Sequence, residues 1–292
     1  GIPIVNAINN GLNANNISKF MGIFNGTSNF ILSKMTHEQT TFKDALEEAQ
    51  RLGFAEADPT DDVEGVDAAR KVVITSYLSF NQVIKLNDVK SVGISDITLA
   101  DINAASALNY KIKSIGKGTY ENGYVNASVE PTLIHKNHQL AAVENEYNAI
   151  YVIGDAVGDT MFYGKGAGSL ATGSAVVSDL LNVALFFESN LHTLPPHFEL
   201  KTEETKEMMD GAEPVVIQEK SNYYIVISNN NKSLEKVEYD IKKKLPFHKS
   251  LQLVERDQDT YAIIVTGIET SPEKVLNQSG FNIKKVYPVE GV

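Results

Sequence analysis

The stretch RLGFAEADPTDDVEGVDAARKVVITSYL, residues 51–78, constrains this chain more than any other. It opens on a turn and gathers the acids Glu56, Asp58, Asp61 and Asp62 within a few positions. Pro59 pushes Asp58 toward an extended backbone, so a helix is not expected to run through it. Asp61 or Asp62 can then cap a new helix, because a short side-chain oxygen accepts from the free first-turn N–H groups. The spacing predicts that helix over 64–78, with Val66, Ala69, Val73, Ile74, Tyr77 and Leu78 along its apolar arc.

Asp67 and Lys71 fall four apart, on one face of the predicted helix, at the margin of the apolar arc. Two readings fit them. One is an i,i+4 ion pair on an ordinary helix surface. The other is a polar pocket at a helix N-terminus in which Lys71 carries a proton, since a lysine at a pocket wall suits acid–base work near neutrality. Acids at the positive end of a helix dipole are partly stabilised and still attract a cationic ligand, such as an ammonium group.

The net charge of −11 argues against nucleic acid as a partner, because phosphate binding needs a basic footprint. The chain has no cysteine, which excludes disulfides, thiolate zinc sites and thiol nucleophiles. His135 and His138 lie three apart, without a companion acid motif for a metal. No uninterrupted apolar run approaches the roughly 20 residues of a membrane span, and no secretory signal is visible, so a cytoplasmic location and no membrane partner are expected.

Along the chain, residues 1–5 read as a short strand and 6–16 as a loop or short helix. Residues 17–24 alternate like a strand. NGTSN (25–29) caps a helix over 29–35 through Thr27 or Ser28. Residues 42–52 show the i, i+3, i+4, i+7 pattern in Phe42, Ala45, Leu46 and Ala49, with Thr41 as cap and Gly53 as stop. A further helix over 101–108 and strands over 111–118, 124–133 and 149–154 complete an α+β layer structure with helices on one face of a sheet.

Gly164, Gly166 and Gly168 form a tight turn before a largely apolar helix over 171–187, a place where backbone N–H groups can approach an anion. Residues 191–214 are first Pro-rich and then acidic, and read as a linker. From residue 215 the pattern is strand (221–228), helix (233–245), two strands (250–255, 260–267), helix (271–279) and strand (283–288), the βαββαβ order of a ferredoxin-like unit.

GFAEADPTDDVEGVDAARK closely resembles the signature of the homoserine dehydrogenase family. NGLNANNISKFMGIFNGTSNFILSKM, VEPTLI, NAIYVIGDAVG and YGKGAGSLATGSAVVSDLL resemble the same family, in family order across most of residues 1–187. The resemblance implies an α+β fold: a catalytic mixed sheet covered by helices, followed by a βαββαβ ferredoxin-like (ACT) domain. It implies a catalytic and dimerisation domain over 1–190, a linker over 191–214 and an ACT-like regulatory domain over 215–292. The implied reaction is the NADP- or NAD-dependent interconversion of L-aspartate 4-semialdehyde and L-homoserine. In that reading Lys71 and Asp67 are catalytic, Glu56 and Asp62 bind the amino acid, and Gly166 approaches the cofactor. The carbonyl of Ile2 belongs to a monovalent-cation (Na+) site of which only Gly1 and Ile2 are present.

The same resemblance implies a homodimer or higher homo-oligomer and a nucleotide-binding domain upstream of Gly1. NNNKS (229–233) stands where an ACT domain carries a glycine-containing loop, so an amino-acid effector and a purely structural or dimerising role are both open for the last unit. Two rivals remain: a non-catalytic amino-acid-sensing fragment, and a dehydrogenase of another semialdehyde.

Overall fold

A computed structural model describes residues 1–188, 221–228, 232–245, 248–268, 272–277 and 281–291. The predicted linker over 191–214 and most of NNNKS lie outside the described residues.

The chain does not begin as a strand. Pro3, whose ring presets a helical φ and whose missing N–H costs nothing at a helix start, opens a helical turn, α1 (Ile4–Asn6), that continues as a π-helical turn over Ala7–Gly11. Strand β1 (Ile17–Ile23) follows. Helix α2 (Gly26–Glu38) starts earlier than the spacing predicts, and its cap is Asn25, not Thr27 or Ser28: the Asn25 side chain accepts from Ser28 N–H at 2.8 Å. Helix α3 (Phe42–Arg51) is capped by Thr41 and ends at Gly53, which takes the left-handed φ of 78° that a side chain would strain.

The helix predicted over 64–78 starts two residues later and runs on to Phe80, and a separate helical turn precedes it. Asp61 and Asp62 lie inside a one-turn helix, α4 (Thr60–Val63), and cap nothing beyond it. Gly65, at φ 79°, then reverses the chain into α5 (Val66–Phe80). A Cβ at position 65 would stand 3.0 Å from Ser91 Oγ and from Val129 Cγ1. The short strand β2 (Lys90–Ser91) and helix α6 (Leu99–Ala107) come next, the latter opened by the reciprocal box Thr98–Asp101.

Strands β3 (Tyr110–Glu121) and β4 (Tyr124–His135) form a twelve-pair hairpin across Asn122–Gly123. Both turn residues have positive φ (50° and 88°), as a two-residue hairpin turn matching strand twist demands. Strands β5 (Tyr147–Gly154) and β6 (Gly158–Lys165) form a second hairpin, and β1 lies between β5 and β3, antiparallel to both. The second strand of that hairpin has no counterpart among the elements expected from sequence. It is an edge strand with mixed exposure whose apolar residues, Met161, Phe162 and Tyr163, are consecutive and so show no alternation, and Gly164 belongs to it and not to a turn.

Helix α5 crosses one face of the sheet, where Ala68, Ala69 and Val72 pack against Phe20, Phe24, Val129 and Ile150. On the opposite face Met21, Ile23 and Ile115 pack under Leu140, Ala141 and Val143. Helix α7 (Ser169–Glu188) leaves the sheet edge with Leu170, Leu180 and Phe187 exposed (89%, 63% and 74%). Its segment Ser169–Phe187 has a mean hydropathy of 1.6 and is long and apolar enough, by length and composition, to cross a membrane. That corrects the expectation that no run approaches such a length. Thr172, Gly173, Ser174 and Ser178 break the run into short pieces without lowering the mean much.

The last unit is strand β7 (Ser221–Ser228), helix α8 (Leu234–Lys244), strands β8 (Ser250–Asp257) and β9 (Thr260–Ile268), helix α9 (Pro272–Asn277) and strand β10 (Ile283–Glu290). Its strands pair antiparallel in the order β10-β7-β9-β8. Strand β10 also pairs, in parallel, with β4, through Val289 with Leu133 and Glu290 with Ile134. One sheet therefore runs through both halves of the chain. The junction is apolar and ionic at once. Tyr224, Val226, Ala262, Ile264, Tyr287 and Val289 share a core with Ile102, Ala105, Leu108 and Leu133. Asp101, fully buried, accepts from Arg256 Nε at 2.8 Å and Lys285 Nζ at 2.7 Å. Glu290 accepts from Lys19 at 2.9 Å and Lys117 at 2.7 Å. The other face of this sheet packs Ile225, Ile227, Ile263 and Val265 against Val237, Ile241 and Leu276 of α8 and α9.

Candidate active site

The acid-rich turn folds by local hydrogen bonding. Asp58 Oδ1 accepts from Thr60 N–H at 3.2 Å and Thr60 Oγ1 at 2.6 Å, which holds its carboxyl below the usual carboxylate range. That closes a turn around Pro59 and sets the direction of α4. Asp61 pairs with Arg70 at 2.5 Å, fastening the turn to the outer face of α5.

The inner face of α5 carries the pair expected from its spacing. Lys71 Nζ donates to Asp67 Oδ2 at 2.7 Å and to the Phe24 carbonyl at 3.1 Å. An ammonium has three hydrogens, so two of them hold Lys71 in place and one is left. The lysine is not buried: 48% of its side chain is exposed, toward a cleft of about 940 Å³.

Asp67, Lys71, Asp62 and Glu56 all line that cleft, together with Gly166 from the far side. Ile2 does not line it. Its carbonyl accepts from Ile4 N–H at 2.8 Å, and among the described residues no group of three or more His, Cys, Asp or Glu side chains is gathered for a metal. His135 and His138 each turn Nδ1 to a backbone N–H two residues on, at 3.3 and 3.1 Å.

Glu56 is exposed, and its backbone carbonyl accepts from Gln50 Nε2 at 3.0 Å. The loop Gly166–Gly168 leads into the first turn of α7, so free N–H groups of that helix edge the cleft. Gly166 passes against Asn148: a Cβ at 166 would lie 2.4 Å from Asn148 Oδ1, while Asn148 Nδ2 is tied to the Ile23 carbonyl at 3.0 Å. Only glycine fits there.

Sequence reasoning missed four contributors to this cleft. Asn148 and Lys165 come from the β5–β6 hairpin, whose second strand was not recognised, and Glu146, which pairs with Lys165 at 3.6 Å, stands just before β5. Asn25, 7% exposed, donates through Nδ2 to Asp62 Oδ1 at 2.6 Å and to Asp67 Oδ2 at 3.0 Å. The preference of Asn for N-cap positions, three residues ahead of Ser28, was the available signal for its place, though not for its partners.

The homoserine dehydrogenase family model matches residues 3–181, and a model of the homoserine dehydrogenase C-terminal domain matches residues 220–292. The chain belongs to the homoserine dehydrogenase family. The homoserine dehydrogenase of Bacillus subtilis is 53% identical over 183 residues, 63% of this chain and 42% of that protein. A crystal structure of the S. aureus enzyme at pH 7.5 is 71% identical with a TM-score of 0.83, over 95% of this chain and 66% of that one. The Thiobacillus denitrificans enzyme is 33% identical with a TM-score of 0.81, over 99% of this chain and 68% of that one. A hyperthermophilic archaeal homoserine dehydrogenase in complex with NADPH is 28% identical with a TM-score of 0.54, over 63% of this chain and 52% of that one. The chain thus spans less than half the length of the Bacillus relative in the matched region, and about two thirds of the S. aureus chain.

Proposed function

We propose that the full-length protein bearing this chain is a homoserine dehydrogenase that interconverts L-aspartate 4-semialdehyde and L-homoserine with NADP or NAD. The observation that carries this reading is the meeting of Lys71, Asp67, Asp62 and Glu56 in one cleft with the Gly166 loop opposite.

In the reducing direction the aldehyde carbon gains a hydride and its oxygen gains a proton. Lys71 is the proton donor: its third N–H is the one its two anchors leave for the developing alkoxide. Asp67 orients Lys71 and balances its charge across the 2.7 Å contact. Glu56 and Asp62 hold the substrate ammonium and hydroxyl through charge-assisted hydrogen bonds. A nicotinamide cofactor bound along Gly166 and the first turn of α7 would supply or accept the hydride. The N–H groups at the start of α7 suit an anionic group, and the Gly166 loop, packed on Asn148, forms the cleft wall beside them, so the residues of this chain fit part of such a cofactor. The Ile2 carbonyl, engaged by Ile4, makes a poor start for a cation cage, and no step here passes through a cation.

The domain boundaries 1–190, 191–214 and 215–292 form part of the same reading, with the last unit an ACT-like module. Its strand order supports that assignment, but one sheet face is taken up by α6, which favours a structural role over effector binding. The uncovered apolar face of α7 is read as packing on an upstream domain and not as a membrane span, in keeping with a cytoplasmic homodimer. The test is steady-state kinetics of the full-length protein with homoserine and NADP or NAD, beside its Glu56→Gln variant. A rise in KM for homoserine in the variant is expected. A parent protein inert toward homoserine with both cofactors would overturn the reading.

A further inference from the structure

From the placement of Asn25 between two acids that come from different elements, we infer that Asn25 is a positioning residue of the proposed reaction: its amide sets the orientation of both Asp62 and Asp67, and through Asp67 that of Lys71. The inference rests on the function proposed above.

The orientation of the amide is decided by its surroundings. Asn25 Oδ1 accepts from Ser28 N–H at 2.8 Å, as the cap of α2, and Ser28 Oγ lies 2.8 Å from the same oxygen. A backbone N–H can only donate, so the oxygen must face the helix and the NH2 must face the cleft. Both of its hydrogens are then used, one on Asp62 Oδ1 at 2.6 Å and one on Asp67 Oδ2 at 3.0 Å. The flipped amide would set its oxygen against two carboxylates.

The consequence is local and specific. Asp62 and Asp67 carry like charges, and each is attached to a different helix, α4 and α5, on either side of the Gly65 reversal. Coulomb repulsion between them favours splaying. A neutral donor between them opposes it, and does so from a third element anchored by its own helix cap. Asp67 Oδ2 accepts Lys71 Nζ as well, so the rotamer that Asn25 selects at Asp67 is the one that aims Lys71. Among the described residues, no hydrogen bond is made to Asp62 Oδ2 or Asp67 Oδ1, so each carboxylate keeps an oxygen for a ligand. Of the other charges around the cleft, Arg70 is engaged by Asp61, and Lys165 by Glu146. No ion pair links Lys165 or Arg70 to Asp62 or Asp67 among the described residues, so the amide is the group that joins the two acids.

Two substitutions separate positioning from capping. Asn25→Asp and Asn25→Ser both keep a good N-cap, so α2 should survive in each. Asn25→Asp removes both donor hydrogens and adds a third negative charge. Three adjoining carboxylates take up a shared proton more readily than one alone, and that proton restores a donor between them. Asn25→Ser removes the amide donors without adding charge and has no proton to regain.

The experiment is the pH profile of kcat and KM for the full-length protein and both variants, with thermal melts alongside. In Asn25→Asp we expect kcat/KM to fall about 10²-fold at pH 8 and to recover several-fold relative to the parent at pH 6, with most of the loss in kcat. In Asn25→Ser we expect a loss that does not recover on acidification, with a melting temperature close to the parent's. If Asn25→Asp does not fold, Asn25→Ser decides alone: kcat lowered at least tenfold in a folded protein supports the inference. Either variant within threefold of the parent at pH 8, or losses that follow the melting temperature with no pH-dependent recovery in Asn25→Asp, overturns it. An inert parent would instead show that the proposed reaction is wrong, so the two failures are told apart.

Discussion

Replacing Lys71 by Met tests the proposed mechanism most directly. Met matches the unbranched stem of lysine and removes only the ammonium. The structural loss is limited. Lys71 is 48% exposed, its partner Asp67 is 30% exposed, and such ion pairs contribute about 0–1 kcal/mol to stability. Asp67 Oδ2 also keeps its Asn25 donor, and the Phe24 carbonyl borders an open cleft where water can replace the lost N–H. The melting temperature should therefore move by no more than a few degrees. The chemical loss is of a different size. Loss of a general acid costs about 10²–10⁴-fold in rate, which is about 3–5 kcal/mol of transition-state stabilisation. Among the described residues no hydrogen bond or ion pair links Lys71 to the Gly166 loop, so cofactor affinity should hold. The assay is homoserine oxidation and semialdehyde reduction followed by nicotinamide absorbance in the full-length protein, with cofactor binding measured separately. A kcat within twofold of the parent would remove Lys71 from the mechanism, and an equal loss of cofactor affinity would refute the separation of the two subsites.

Gly166→Ala should raise the KM for cofactor about tenfold or more, because the new Cβ meets Asn148 Oδ1 at 2.4 Å and Asn148 is tethered to Ile23; an unchanged cofactor KM would count against that wall as the cofactor side. Asp101→Asn should destabilise the protein by about 3 kcal/mol, since it leaves Arg256 and Lys285 without their buried counter-charge. Burial opposes ionisation of Asp101, yet Arg256 and Lys285 outweigh it and hold its carboxyl below the usual range. A lowered folded value means stability that is present above the ordinary carboxyl pKa of about 4 and is lost as pH falls below it. The parent should thus lose more stability than Asp101→Asn in acid, read by denaturant melts at pH 7 and pH 3. Residues 1–292 by themselves should bind NADPH weakly and self-associate through the exposed apolar residues of α7, measured by cofactor fluorescence and light scattering; micromolar cofactor binding or a clean monomer would refute this.

Much of the architecture was legible because it is local. The apolar spacing of 42–52 and the cap at Thr41 needed nothing beyond α3 itself. The spacing of Asp67 and Lys71 placed them together on α5 whatever the helix packed against. The strand, helix, strand, strand, helix, strand order after residue 220 followed from periodicity and turn residues. Where local signals competed, reading failed. The helix expected over 64–78 takes in Gly65, because a left-handed φ has no mark beyond the residue type, whereas α5 begins only after it and α4 stands apart before it. The edge strand β6 has its apolar residues Met161, Phe162 and Tyr163 in a row, with no alternation to detect.

The amino-acid sequence by itself determined most of the helices and strands, the family and the cluster of acids beside Lys71, since each of these is written in neighbouring residues. Only the tertiary structure decided which groups touch. Asn25 reaches Asp62 across 37 positions and Asp67 across 42, and no periodicity carries that information. Asp101, which looks like a surface acid near a helix start, is fully buried because Arg256 and Lys285 arrive from more than 150 residues away. The two halves read as separate domains share one sheet because β10 finds β4, a parallel pairing set by the apolar and ionic fit of two folded surfaces. Backbone hydrogen bonding is the same at every strand edge, so side-chain burial and charge at the junction choose the partner, and those exist only once the chain has folded.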